Sequence, residues 1–257
     1  MTTPHRILVT NDDGIHAPGL AVAEKIAREI SDDVWVIAPE TEQSGASHSL
    51  TLSAPLRLRK IEERRFALSG TPTDCVMMGL SQVMPDKPTL ILSGVNRGSN
   101  LADDVTYSGT IAGAMEGTAL GVPSIALSQT FDFSDGEIPR WQCAEKHGAG
   151  VVKRLLAIGW PAETLININF PHVGADEVAG IEITEQGRRD MQTATMEKRT
   201  DLRGHDYYWI GFKRLRSNPD PGTDLRAIYD RKISITPLHL NLTEYKVLEK
   251  MRKEFPL

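Results

Sequence analysis

Two cysteines, Cys75 and Cys143, are all that the 257-residue chain contains. They lie far apart in no ligand-like spacing, which argues against a disulfide framework or a zinc cluster and suits a reducing compartment. Long apolar runs are missing too. None approaches the length of a membrane span, and the opening stretch MTTPHRILVTN has no signal-peptide core. A cytoplasmic protein is expected. The chain also lacks an excess of positive charge. At a formal net charge of -5 it has no general attraction for nucleic-acid polymers or anionic membranes, so a phosphorylated ligand would need local cations or a metal. Three signatures are absent as well. No G-x-G-x-x-G follows the first strand, which weakens a dehydrogenase reading. No P-loop occurs, and GASHS is not a G-x-S-x-G nucleophile elbow. There is no internal repeat and no low-complexity tract.

What remains is ordinary for a globular protein: 40% hydrophobic and 25% charged residues, enough for a normal core. The first half alternates strand and helix patterns. RILVT (6–10) reads as a buried strand, and residues 19–30 carry Leu20, Ala23, Ile26, Ala27 and Ile30 at helical spacing. VWVIAP (34–39) is a second buried strand. A strand-helix-strand unit implies a parallel sheet with a right-handed crossover. Residues 49–61 and 65–69 alternate with period two and read as an antiparallel excursion. Residues 72–83 suit a helix with Pro72 near its start. LILSG (90–94) and SIALS (124–128) read as strands, 109–120 as a small-residue helix, 141–158 as a helix and 164–170 as a strand. After Pro171 the character changes. Residues 180–185 and 207–212 read as strands that could pair as a long arm across a polar stretch. Residues 216–224 form a turn-rich loop, 232–238 a strand and 242–255 an amphipathic helix. The expected architecture is α/β. A core with a mostly parallel sheet spans 1–171. A C-terminal extension spans 172–257 and is not an independent domain.

In an open parallel sheet, ligands bind outside the carboxyl ends of the strands. Polar segments follow four of these strands: NDDG after the first, APETEQSGASHS after the second, VNRGSNLADDVTYSGT after LILSG, and the segment from Gln129 after SIALS. Several polar loops converging on one sheet edge make a pocket. Asp12 and Asp13 stand side by side where their charges repel. Turn chemistry alone can explain Asn, Asp and Gly there. The other reading is a hard cation, which prefers oxygen ligands and would offset the repulsion. Asn96 adds an amide oxygen and Ser44 a hydroxyl. This donor set suits Mg²⁺ or Mn²⁺ better than zinc. Ser108, Gly109 and Thr110 precede or open a helix, where free N–H groups form a phosphate site; an ordinary N-cap is compatible with that role. His16 and His48 flank the loops as solvated histidines. Glu116 reads as a structural hydrogen-bond partner, and Asp103 and Asp104 as turn residues or a ligand cradle.

The stretches ILVTNDDGIHAPGL, SGASHSLTL, GTPTDCV, LILSGVNRGSNLADDVTYSGTIAGAMEG and ISITPL, in this order, closely resemble the SurE family, the stationary-phase survival protein nucleotidases. The resemblance covers nearly the whole chain and implies a Rossmann-like three-layer core over 1–171. It implies a metal-dependent acid phosphatase of the 5′-nucleotidase type acting on nucleoside 5′- and 3′-monophosphates, with some members trimming polyphosphate. It implies metal positions at Asp12, Asp13, Ser44 and Asn96, the same four that the strand-end argument reaches, and a homodimer or homotetramer assembled through C-terminal elements. The combined expectation is one divalent ion per subunit. Asp12, Asp13 and Asn96 are the catalytic residues, with Asn96, Ser108, Gly109 and Thr110 on the phosphate. Covalent catalysis by Asp12 is a lesser alternative, since the D-x-D spacing of aspartyl-phosphate phosphatases is missing. A nucleotide- or phosphate-sensing protein without turnover would share the pocket, and an oxidoreductase would bind nicotinamide instead.

Overall fold

The computed structural model describes residues 5–131, 141–189, 192–214 and 218–255. The first apolar run is β1 (Arg6–Thr10), followed by α1 (Pro18–Arg28) and β2 (Asp33–Pro39). β1 and β2 pair in parallel, Ile7 opposite Val34, as the strand-helix-strand pattern requires. An antiparallel pair, β3 (Leu58–Glu62) and β4 (Arg65–Leu68), then joins the edge of β2. After α2 (Pro72–Met78) the chain returns through the middle of the sheet. It forms β5 (Leu90–Arg97), α3 (Gly109–Ala119), β6 (Ser124–Gln129), α4 (Gln142–Ile158) and β7 (Thr164–Phe170).

Residues beyond Pro171 extend the same sheet. β8 (Gly180–Ile183) and β11 (Lys232–His239) pair in parallel, and β11 runs antiparallel to β7. Among the described residues the nine strands lie in the order β3-β4-β2-β1-β5-β6-β7-β11-β8. Between β11 and β8 in sequence lie a separate two-stranded ribbon, β9 (Gln192–Thr200) with β10 (Asp206–Arg214), and the short α5 (Asp224–Tyr229). The chain closes with α6 (Tyr245–Glu254).

Successive side chains on a strand face opposite sides, and this splits the core in two. Ile7 and Val9 pack with Leu20 and Ile26 of α1 and Cys143 and Val152 of α4. Leu8 and Ile91 pack on the other face with Cys75 and Val76 of α2, while Ile111 and Ala114 of α3 meet Ala126 and Leu165. The result is a helix-sheet-helix sandwich. Each fully buried Leu or Ile contributes roughly 1.5–3 kcal/mol, so the sheet edge that carries the polar loops stands on a rigid base.

Three expectations change. The period-two run 49–61 is a strand only from Leu58. Residues before it are fastened to α2 by side-chain bonds instead: Thr51 Oγ1 donates to Asp74 Oδ2 (2.6 Å) and Thr71 Oγ1 to Ser49 O (2.8 Å). The helix over 72–83 loosens to a π-turn from Gly79 to Val83. The arm is also built differently. Residues 180–183 join the main sheet beside β11, and the partner of 206–214 is the polar stretch 192–200. Backbone pairing along a ribbon does not need an apolar face, so polar residues can fill it. Part of the loop expected at 216–224 and part of the segment expected after Gln129 lie outside the described residues. No helix among the described residues is long and apolar enough to cross a membrane.

Candidate active site

The carboxyl end of β1 points its last residues at the N-terminus of α3. Asp12 is 4% exposed. Its Oδ1 accepts a 2.5 Å hydrogen bond from Thr110 Oγ1, and the backbone N–H of Thr110 also supports the carboxylate. The helix and carboxylate approach so closely that a Cβ on Gly109 would stand 2.8 Å from Asp12 Cβ and 3.0 Å from its Oδ2. Only glycine fits there. Ser108 caps the helix by accepting from the N–H of Ile111 (3.1 Å), which leaves the N–H of Gly109 in the first turn without an intrahelical acceptor. The positive end of the helix dipole favours anionic groups at this point.

Asp13 turns toward β5. The backbone N–H of Arg97 donates to its Oδ2 at 3.1 Å. This places Asn96, the preceding residue, beside the acidic pair. The Asn96 amide group donates to Gly98 O (3.0 Å), so its Oδ1 is the atom left to act as a donor to a cation. Gly14, at φ +100°, releases the chain after the acidic pair in a conformation that side-chain-bearing residues avoid. The third segment arrives through the N–H of Gln43, which donates to Asp12 O at 2.8 Å. Ser44, the next residue, is exposed, and its hydroxyl donates to Glu42 Oε1 (2.9 Å). Asp12 and the start of α3 therefore meet directly, Asp13 meets the backbone next to Asn96, and Ser44 stands one residue from the Gln43 contact.

The electrostatics of this cluster are unfavourable without a cation. Burial, with Asp13 as a nearby like charge, pushes the Asp12 carboxyl up to about 6, against the opposing bonds from Thr110. Burial and the charge of Glu42 also raise Asp13, while the Arg97 N–H and guanidinium counteract them. Asn11 Oδ1, buried at the same strand end, has no hydrogen-bond partner. Among the described residues no group of three or more His, Cys, Asp or Glu could hold a metal. The two carboxylates, the Asn96 amide oxygen and the Ser44 hydroxyl near them are all oxygen donors, the kind a hard divalent cation takes.

Other candidate residues have structural partners. His48 Nε2 lies 2.9 Å from Glu116 Oε2, and Ser47 Oγ donates to Thr106 O (2.7 Å), which holds the loop carrying Ser44 against α3. Asp103 and Asp104 bind Arg189: its N–H donates to Asp103 Oδ2 (2.9 Å) and its Nε to Asp104 Oδ2 (2.9 Å). His16 is exposed. The sequence reading missed a buried amide network. Asn167 and Asn169 of β7 both donate to Asn100 O (2.8 and 3.0 Å), and Asn100 donates to Ser128 Oγ (2.8 Å). This network pins the loop after β5, and hence Asn96. The polar alternation in TLININF was its only signal. Cavities of about 600 Å³ by Lys25 and Glu145 and about 220 Å³ by Thr118 and Trp160 share no residue with the site.

A family model described as Survival protein SurE matches residues 7–193, the stretch that contains every one of these site residues. The chain belongs to the SurE family. Curated SurE relatives named 5′-nucleotidase SurE include the one from Parvibaculum lavamentivorans, 60% identical over 94% of this chain and 87% of that protein. Another, from Brucella anthropi, is 58% identical over 94% of each chain. The crystal structure of the SurE protein from Aquifex aeolicus superposes with a TM-score of 0.83 at 38% identity, covering 97% of this chain and 99% of that one. The SurE family thus accounts for the fold from β1 through the C-terminal elements.

Proposed function

We propose that this SurE-family chain is a metal-dependent phosphomonoesterase that hydrolyses nucleoside 5′-monophosphates to nucleoside and phosphate. Nucleoside 3′-monophosphates and short polyphosphate are secondary substrates. The observation that carries the reading is the pair Asp12–Asp13 held between the N-terminus of α3 and the end of β5. The relatives' shared name, 5′-nucleotidase, supports the substrate class.

Asp12, Asp13, Asn96 and Ser44 would hold one Mg²⁺ or Mn²⁺ per subunit. When bound, the ion supplies Lewis-acid polarisation of the phosphoryl group and of an attacking water. Thr110 fixes the Asp12 carboxylate through its hydroxyl. Asn96, the Gly109 N–H and the dipole of α3 stabilise charge on the transferring phosphoryl group; Ser108 serves by setting the first turn of that helix. Residues 1–171 form the catalytic core and 172–257 the extension. We also assign the protein to the cytoplasm, and infer a homodimer or homotetramer. Supporting assembly, no residue of α6 is buried, and Trp209 and Ile210 of the ribbon are 59% and 65% exposed.

Phosphate release from a panel of 5′- and 3′-nucleoside monophosphates and polyphosphate, with Mn²⁺ and with chelator, tests the reading. Metal-dependent release from 5′-monophosphates is expected. Tight binding of the same nucleotides with no release would instead identify a sensor.

A further inference from the structure

Among the described residues Arg97 is the one Lys or Arg whose backbone touches the acidic pair, and its side chain has a second contact of its own. Its N–H donates to Asp13 Oδ2 (3.1 Å), while its guanidinium carbon lies over the Phe131 ring, 5.0 Å from the centroid. It makes no ion pair among the described residues. The ring beneath it is firmly seated: Phe131 is 8% exposed and meets His172 edge-on at 6.2 Å. Arg97 itself is exposed. A cation–π contact thus seats the guanidinium on an aromatic support while the residue stays exposed. This platform begins at the strand end that carries Asn96 and extends one side chain's length away from it. A ribose spans a comparable gap between a phosphate and its base.

We propose that Arg97, seated on Phe131, is the nucleobase platform of the site and gives it a preference for purine nucleoside monophosphates. The inference rests on the phosphomonoesterase reading above. A guanidinium plane stacks on any base, and the larger purine surface gains more from it. A lysine in this place would keep the charge but lose the plane. The two properties can therefore be separated.

The test compares 5′-AMP with ribose 5-phosphate, which keeps the phosphate and sugar but lacks the base, in wild type, Arg97→Ala and Arg97→Lys. Arg97→Ala should raise KM for 5′-AMP about tenfold, the loss of one stacked base, with kcat and the KM for ribose 5-phosphate changed less than about twofold. Arg97→Lys should behave like Arg97→Ala. Equal losses on both substrates, or rescue by lysine, would make Arg97 a charge partner of phosphate and overturn the platform. An unchanged KM for 5′-AMP in Arg97→Ala would overturn it also. Release of phosphate from neither substrate by wild type would sink the phosphatase reading and the platform together, a result distinct from the other two.

Discussion

Replacing Asp12 by Asn should make the metal-free protein more stable at neutral pH while it destroys cation binding. The Asp12 carboxyl rises from 3.8 to about 6, first through burial and then through the charge of Asp13. A folded pKa above the unfolded value means that the folded state holds the proton more tightly. Metal-free stability therefore falls as pH rises from about 4 to 6, and the full penalty remains above that window. A shift of about two units corresponds to about 3 kcal/mol. An amide at position 12 carries no charge at any pH and still offers an oxygen to Thr110 Oγ1, now 2.5 Å from the carboxylate. Urea unfolding in chelator should thus show Asp12→Asn more stable than wild type by up to about 3 kcal/mol at pH 7.5, with the gap closing toward pH 4. Added Mn²⁺ should raise the wild-type midpoint by mass action and leave the variant unmoved. A variant less stable than wild type in chelator at pH 7.5, or equally stabilised at both pH values, would refute the view that Asp12 is a strained carboxylate awaiting a cation.

Gly109→Ala would force a Cβ to within 2.8 Å of Asp12 Cβ, so kcat should fall by about a hundredfold or more, as small displacements of a reacting constellation do; near-normal turnover would show that the helix can withdraw harmlessly. Thr110→Val removes a charge-assisted bond to Asp12 and should weaken Mn²⁺ affinity about tenfold, read by titration calorimetry. Ser44→Ala and Asn96→Ala each remove a neutral donor and should weaken Mn²⁺ less than Asp13→Asn does. Either variant with unchanged affinity and unchanged turnover would be dropped from the site. Light scattering should find a dimer or tetramer at micromolar concentration, and a chain cut after Pro237 should dissociate; a full-length monomer would end the assembly claim.

The strand ends were legible because chemistry and topology coincide there. NDDG and VNRG each follow an apolar run, and YSGT opens a helix, so a parallel sheet had to bring them to one edge. Side-chain direction was not legible. The Thr110 hydroxyl, read as facing phosphate, is instead directed to Asp12, a choice of rotamer that spacing does not encode. Nothing in the sequence singled out Arg97, because Phe131, its support, lies in the segment after the next strand. Ribbon pairing was missed because strand propensity does not name the partner. Residues 180–183 read as a strand and 192–200 as a polar stretch, yet the first is taken by the sheet edge at β11 and the second pairs with β10.

The central claim, that the Asp12–Asp13 pair exists to hold a catalytic cation, is tested most directly by titrating Mn²⁺ into chelator-treated protein while phosphate release from 5′-AMP is followed. Wild type should be inactive without the ion and saturate at one Mn²⁺ per subunit, and Asp12→Asn and Asp13→Asn should stay inactive through the titration. Full activity in chelator, or full activity in either variant, would contradict it.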